Sequence, residues 1–404
     1  MRLKTLALAA AAAVAATPAM AQYSNDTIKI GVMNDQSGLY ADLSGQGSVW
    51  AARRAVADFC KTTKCHDKIE IVFADHQNKP DIGSTTVRQW FDVDNVDVVV
   101  DVPTSSVALA VNNITKEKNK VFLVSGAAAS DLTGKACTPN TVHWTYDTWA
   151  LANGTGNAVV KTGGDTWFFL TADYAFGHAL ERDTAAVVEK SGGKVVGRVR
   201  HPFPGQDFSS FLLQAQSSKA KIIGLANAGS DTTNSIKQAA EFGIVQGGQK
   251  LAGLLVFITD VHALSLKVAQ GLILTEAWYW DQTDANRAFS AEFEKANKGN
   301  KPTMVQAGVY SAVYHYLKAV HELKSDADGA AVVAKMKSMP TEDALFGKGQ
   351  IRADGRKIHD MYLYEVKSPA ESKGPWDYYK LRATIPAAEA FRPLDQGDCP
   401  LVKK

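Results

Sequence analysis

Residues 27–59, TIKIGVMNDQSGLYADLSGQGSVWAARRAVADF, contain one strand, one glycine-broken loop and one amphipathic helix. Ile28, Ile30 and Val32 alternate with smaller or polar neighbours, the period of a strand packed in a sheet. Asn34 to Tyr40 break that period at Gly38. A second turn at Gly45 and Gly47 then precedes Val49, Ala52, Val56 and Phe59, which recur at helical spacing. In an open α/β sheet such a loop lies at the carboxyl end of its strand, where ligands bind. The rest of the chain is then scaffold around a few loops of this kind.

Upstream, Arg2 and Lys4 are followed by the apolar run Leu6–Ala16 and by Ala19-Met20-Ala21, the small-x-small pattern of a secretory cleavage site. Residues 1–21 are expected to be a signal peptide, leaving an exported chain that starts at Gln22, destined for a bacterial periplasm. The run is too short and alanine-rich to stay in a bilayer as an anchor. Removing Arg2 and Lys4 takes the formal charge from +2 to neutrality, which argues against nucleic acid or an acidic surface as partner. Roughly 380 mature residues exceed the ~250–300 at which one core splits, so two domains are expected. Four cysteines in an exported chain suggest two disulfides. Cys60 and Cys65 can close a small loop after the first helix, and Cys137 would then pair with Cys399. Four unpaired or metal-binding thiols are the alternative, although no histidine stands at zinc-ligand spacing beside them.

Strand, loop and helix recur downstream. Ile69–Ala74 is a strand, and Pro80 opens the helix through Val87, Trp90 and Phe91. Val96–Asp101 ends in Pro103-Thr104-Ser105-Ser106 before a helix, and Val121–Ser125 ends in the small-residue loop Gly126–Ser130. Four such units imply right-handed crossovers and a parallel sheet. A second series follows His143-Trp144-Thr145-Tyr146: strand Trp167–Thr171, loop Ala172–Gly177 and helix Leu180–Lys190; strand Lys194–Arg200 and helix Phe208–Gln216; then strand Ile222–Ala226 with a loop from Asn227 to Ser230. Helix Ile236–Phe242 and strand Leu254–Ile258, followed by Thr259-Asp260, close the series. Leu272–Trp280 is apolar and aromatic, suiting a return crossing, and a third crossing falls near Leu345–Gly349 before the strand Met361–Val366. The expected fold class is α/β: two Rossmann-like lobes with parallel-dominated sheets joined by three crossover segments. The first lobe takes 27–143 plus 279–345, and the second 144–278 plus 346–385. The tail 386–404 returns to the first lobe. Three crossings make a hinge suited to cleft closure.

No catalytic constellation stands in these loops. Gly45-x-Gly47 is followed three residues on by Trp50, and Gly154-x-Gly156 has no preceding strand, so neither makes a dinucleotide fingerprint, and no Walker loop, HExxH or Gly-x-Ser-x-Gly occurs. An enzyme would have to use Asp260 and His262, the titratable candidates in the cleft, and no cofactor is expected. The loops suit a small anion better. Ser105 and Ser106 offer hydroxyls and backbone N–H groups at a helix N-terminus, where a carboxylate is favoured, although both could simply be helix caps. The Gly126–Ala129 loop, with Ala127 and Ala128, adds donors almost without side chains. Tyr40, Trp149, Tyr174, Phe176, Trp278, Tyr279 and Trp280 could line an inter-lobe pocket, while any one of them alone fits the core equally well.

In order and spacing, IKIGVMNDQSGLYA, DVPTSSVALA, SGAAASDLT, DYAFG, KQAAEFGI and AQGLILTEAW resemble the periplasmic solute-binding proteins of ABC importers related to the leucine/isoleucine/valine-binding receptors, over nearly the whole mature length. The resemblance implies a type I periplasmic binding fold: a receptor, expected monomeric, that closes on a small molecule and delivers it to a membrane permease. It places Ser105 where those receptors bind the ligand carboxylate. Ala128 falls where they carry a threonine, Phe176 and Ala228 where they carry tyrosines, and Asp260 near the acid that meets the ammonium group. Fewer hydroxyls and a retained aromatic wall shift the expected ligand toward an aromatic or alicyclic acid. A branched-chain or other hydrophobic amino acid or amide is the alternative. The expected ligand set is Tyr40, Ser105, Ser106, Ala127, Ala128, Trp149, Tyr174, Phe176, Asn227, Asp260 and Trp278.

Overall fold

The computed structural model describes residues 23–25, 27–63, 65 and 68–403, so the expected signal peptide lies outside the described residues. Strands β1 (Thr27–Asn34), β2 (Lys68–Asp75), β3 (Val98–Asp101), β4 (Val121–Val124) and β5 (Thr141–His143) form one sheet in the order β2-β1-β3-β4-β5, every pair parallel. β3 and β4 are buried at every position, as strands covered by helices on both faces must be. The fourth unit departs from the sequence expectation. After Gly126 the chain makes only one 3-10 turn, Ser130–Thr133, before β5, a strand the pattern did not show. The residues between carry no helical apolar period, and the Cys137–Cys399 bridge pins them instead.

Strands β6 (Thr166–Ala172), β7 (Lys194–His201), β8 (Ile222–Ala226) and β9 (Lys250–Gly253) build the second parallel sheet, ordered β7-β6-β8-β9. Three elements differ from expectation here: the helix Ala175–Lys190 begins inside the predicted loop, the helix expected over Ile236–Phe242 spans Ser230–Glu241, and the strand expected over Leu254–Ile258 lies earlier, at Lys250–Gly253. Leu254–Phe257 is therefore a buried loop, and Ile258–Leu264, with Asp260, is a helix. A buried strand and a buried loop share the same apolar composition, so the run LLVFI could not separate them.

The remaining strands are β10 (Ile273–Glu276), β11 (Thr341–Asp343), β12 (Gly347–Ile351), β13 (Lys357–Ile358), β14 (Met361–Val366) and β15 (Tyr379–Ile385). They form two antiparallel sheets, β10-β14-β15 and β11-β12-β13. The helix Gly45–Thr62 packs on Met304–Leu323, and Trp50 sets its edge on Phe293 at 5.2 Å. The chain passes between the lobes at Trp144–Asp147, after β10, and around β11 to β13. Arg356 joins the first and third passages: its fully buried guanidinium donates to the Trp144 carbonyl at 2.8 Å and the Tyr146 carbonyl at 2.9 Å, with Asp147 3.6 Å away. His359 adds Nε2 to the Thr145 carbonyl at 2.8 Å. Disulfides Cys60–Cys65 and Cys137–Cys399 leave no free cysteine, and no cluster of His, Cys, Asp and Glu suited to a metal occurs among the described residues. Nor, among them, is any helix long and apolar enough to cross a membrane.

Candidate functional site

A narrow cavity lies where the carboxyl ends of the two parallel sheets face each other. Each loop there contributes wall. Tyr40 and Leu43 follow β1, Pro103 follows β3, and Gly126 and Ala128 follow β4. Tyr146 comes from the first crossover. Across the cleft stand Tyr174 and Phe176 after β6, Ala228 after β8, and Leu255 and Phe257 after β9. Five of these side chains are aromatic and none is charged.

Local backbone geometry shapes the first-lobe side. Asp101 and Val102 hold φ of 85° and 51°, a left-handed pair that is costly for a β-branched residue, and so turn the chain sharply into Pro103. The Asp101 carboxylate secures the turn by accepting from Asn34 Nδ2 at 3.0 Å and Ser44 Oγ at 2.9 Å, and burial pushes its pKa up to about 6. Gly126 packs against this turn so closely that a Cβ would sit 2.7 Å from the Pro103 Cα.

The two lips meet through hydroxyls. Tyr40 and Tyr174 lie 2.5 Å apart, both buried, and burial drives both phenols well above their ordinary range. Tyr146 donates its hydroxyl to the Gly126 carbonyl at 2.6 Å, binding crossover to loop. No side chain caps the N-termini of helices Ser105–Glu117, Ala175–Lys190 or Ser230–Glu241, which begin beside the cavity loops and carry partial positive charge there.

Of the residues expected at a ligand, Tyr40, Ala128, Tyr174 and Phe176 stand together on this wall. The others are placed differently. Ser105 Oγ accepts from the N–H groups of Ala128 at 3.3 Å and Ala129 at 3.2 Å, tying the β4 loop to the helix, and half-buried Ser106 follows it. Ala127 offers its carbonyl to His143 Nε2 at 2.8 Å. Asn227 organises the next helix start, accepting from Thr232 Oγ1 at 2.7 Å and donating to Ser235 Oγ at 3.2 Å. Asp260 caps its own helix by accepting the Phe257 N–H at 2.8 Å, and burial pushes its pKa up to about 7. Trp149 lies in a separate groove with Pro386 and Phe391, and Trp278 is buried edge-on to Phe289 at 6.2 Å. His262 stacks on Trp376 at 3.9 Å and bonds Tyr378 at 2.8 Å.

Leu43, Pro103, Gly126, Tyr146, Leu255 and Phe257 complete the wall without having been picked from the sequence. Pro103 and Gly126 sit in loops that the strand pattern did mark, whereas Tyr146 sits on the first crossover. Leu255 and Phe257 were hidden by the misplaced end of β9.

The periplasmic binding protein family matches residues 27–375. A periplasmic binding protein from Burkholderia mallei is 54% identical, covers 94% of this chain and 100% of its own, and superposes with a TM-score of 0.90. A branched chain amino acid ABC transporter periplasmic ligand-binding protein from Burkholderia xenovorans LB400 is 38% identical over 93% of this chain and 99% of its own, at a TM-score of 0.81. A solute-binding protein of an ABC transporter from Rhodopseudomonas palustris HaA2, in complex with p-hydroxybenzoic acid, shares the fold at 23% identity, with coverage of 89% and 97% and a TM-score of 0.80. The fold described above superposes on these receptors, and the chain belongs to the periplasmic binding protein family, whose members serve ABC transporters as ligand receptors.

Proposed function

We propose that this receptor captures a small, largely apolar carboxylate, an aromatic acid in preference to an aliphatic amino acid, and hands it to the permease of an ABC importer. The observation that carries this is the wall composition: five aromatic rings and no charged side chain, with Ala128 and Ala228 adding only methyl groups. A planar acid fills such a slot with ring contacts, and aromatic pairs contribute ~0.5–1.5 kcal/mol each beyond their buried area. Its carboxylate is matched by the uncapped helix start at Ser105. The p-hydroxybenzoic acid held by the Rhodopseudomonas palustris receptor has this chemistry.

A second reading, a branched-chain amino acid, is favoured by the Burkholderia xenovorans relative, a branched chain amino acid ABC transporter periplasmic ligand-binding protein, and by the carboxylate of Asp260, three positions after the wall residue Phe257. A thermal-shift screen of benzoate and hydroxybenzoates against leucine, isoleucine and valine separates the two, because a bound ligand raises the melting temperature by mass action. Stabilisation by the aromatic acids supports the first reading. Stabilisation by the aliphatic amino acids alone replaces it with the second.

A further inference from the structure

The residues after β15 do more than end the chain. Ala387 donates its N–H to Asp360 at 2.8 Å, and Asn153 donates to the Glu389 carbonyl at 2.9 Å, so the tail starts fixed to the second lobe. Phe391 is buried beneath the Arg356 guanidinium at 4.4 Å and beside the His359 ring at 5.3 Å, the two side chains that hold the first crossover. The next residue turns to the first lobe. Arg392 donates to the Ser130 carbonyl at 3.0 Å, while Arg352 holds the Arg392 carbonyl at 2.8 Å. Buried Cys399 then closes on buried Cys137, 262 positions away in sequence. Ser130 is itself a meeting point of the lobes: its hydroxyl donates to Asp183 at 2.6 Å, and Arg182 reaches the adjacent Asp131 at 3.2 Å.

Chain length decides what this means. Arg392 is three chain steps beyond the Asn153 tie at Glu389, and an extended chain spans at most about 3.3–3.6 Å per residue, on the order of 10 Å here. Anchors in the two lobes cannot move far apart while both hold. We propose that residues 386–399 are a fourth connection between the lobes, a strap sealed by Cys137–Cys399 that limits how far the cleft opens. The three crossovers act as the pivot, and the strap acts as the stop. A restricted opening keeps the ligand-free receptor nearer its binding-competent geometry, which lowers the affinity lost to unproductive conformers.

Spin labels at Asp81→Cys in the first lobe and Asp207→Cys in the second, both exposed, report the opening of the ligand-free protein by pulsed EPR. With all native cysteines in disulfides, the labels go only where they are placed. Cys137→Ser with Cys399→Ser is expected to shift the distance distribution outward and broaden it. Arg392→Ala, disulfide intact, is expected to give a smaller shift of the same sign. Cys60→Ser with Cys65→Ser, which opens the other bridge, is expected to leave the distribution unchanged. An unchanged distribution in the Cys137/Cys399 variant, with circular dichroism intact, overturns the strap. So does an equal outward shift in the Cys60/Cys65 control. If the Cys137/Cys399 variant does not fold, Asn153→Ala combined with Arg392→Ala carries the same readout, and no shift in that pair is equally decisive against the proposal.

Discussion

The hydroxyls of Tyr40 and Tyr174 lie 2.5 Å apart, although one is carried by the loop after β1 and the other by the first residues beyond β6. Tyr174 is backed by Phe203, stacked at 3.8 Å, and Tyr40 by Gly229, whose φ of 60° brings the Leu39 carbonyl within 2.5 Å of where a Cβ would stand. The lips of the cleft are thus joined by one hydrogen bond set in a tightly packed frame, and the closed receptor owes part of its stability to it.

Tyr40→Phe and Tyr174→Phe each remove that bond while keeping the ring. A net hydrogen bond contributes about 0.5–1.5 kcal/mol, so each variant should bind its ligand roughly two- to tenfold more weakly by calorimetry. Because both substitutions delete the same interaction, the double variant should lose little more than either single one. Fully additive losses would mean that the two hydroxyls act on the ligand separately.

Ala228→Tyr places a ring in the cavity from the second-lobe side. Binding should fall more than tenfold in titration calorimetry. The stability of the ligand-free protein, measured in urea, should change by no more than the ~1–3 kcal/mol of local overpacking. Unaltered affinity would place the ligand away from this wall.

Much of this wall was legible because a parallel α/β sheet brings the loops at its strand ends together, so finding the strands amounts to finding the loops. Tyr40, Ala128, Tyr174 and Phe176 emerge this way. Residue type alone does not give the direction in which a side chain points. Trp149 and Trp278 are aromatic and lie near crossovers, yet half-buried Trp149 lines a separate groove with Phe391, and Trp278 sets its edge on Phe289, because a large ring is buried as readily in a core as in a pocket. Asp260 looked like a ligand group, yet its carboxylate accepts an N–H from its own helix start, an option open to any Asp at such a position. Tyr146 was missed because it lies on a crossover, where no periodicity marks the inward side.

Asp260 should leave a trace in the pH dependence of stability. Its folded pKa of about 7 lies above the unperturbed value near ~4, because burial penalises the charged form. The folded state therefore holds the proton more tightly. The stability this confers is full below about pH 4 and is lost as pH rises through about 7. Asp260→Asn keeps an oxygen for the Phe257 N–H and removes the titration. Relative to the parent, it should gain stability steadily between about pH 4 and pH 7 in urea denaturation and level off above. A constant difference across that range would show that Asp260 is already ionised in the fold.

Arg356 is the hinge residue most exposed to test. Arg356→Ala strands the Trp144 and Tyr146 carbonyls in a dry interior, at about 1–3 kcal/mol each, and should lower the unfolding free energy by several kcal/mol. Arg356→Lys should recover only part of the loss, because an ammonium lacks the planar fork that reaches both carbonyls together. Full recovery by lysine would reduce the role of Arg356 to its charge.

The measurement that bears most directly on the central claim is isothermal titration of the purified, ligand-stripped protein with 4-hydroxybenzoate and, separately, with leucine. An aromatic cavity free of charged side chains predicts saturable one-to-one binding of the aromatic acid, weakened by Ala228→Tyr, with leucine at least tenfold weaker. Tight one-to-one binding of leucine, with no heat from the aromatic acid, would contradict it.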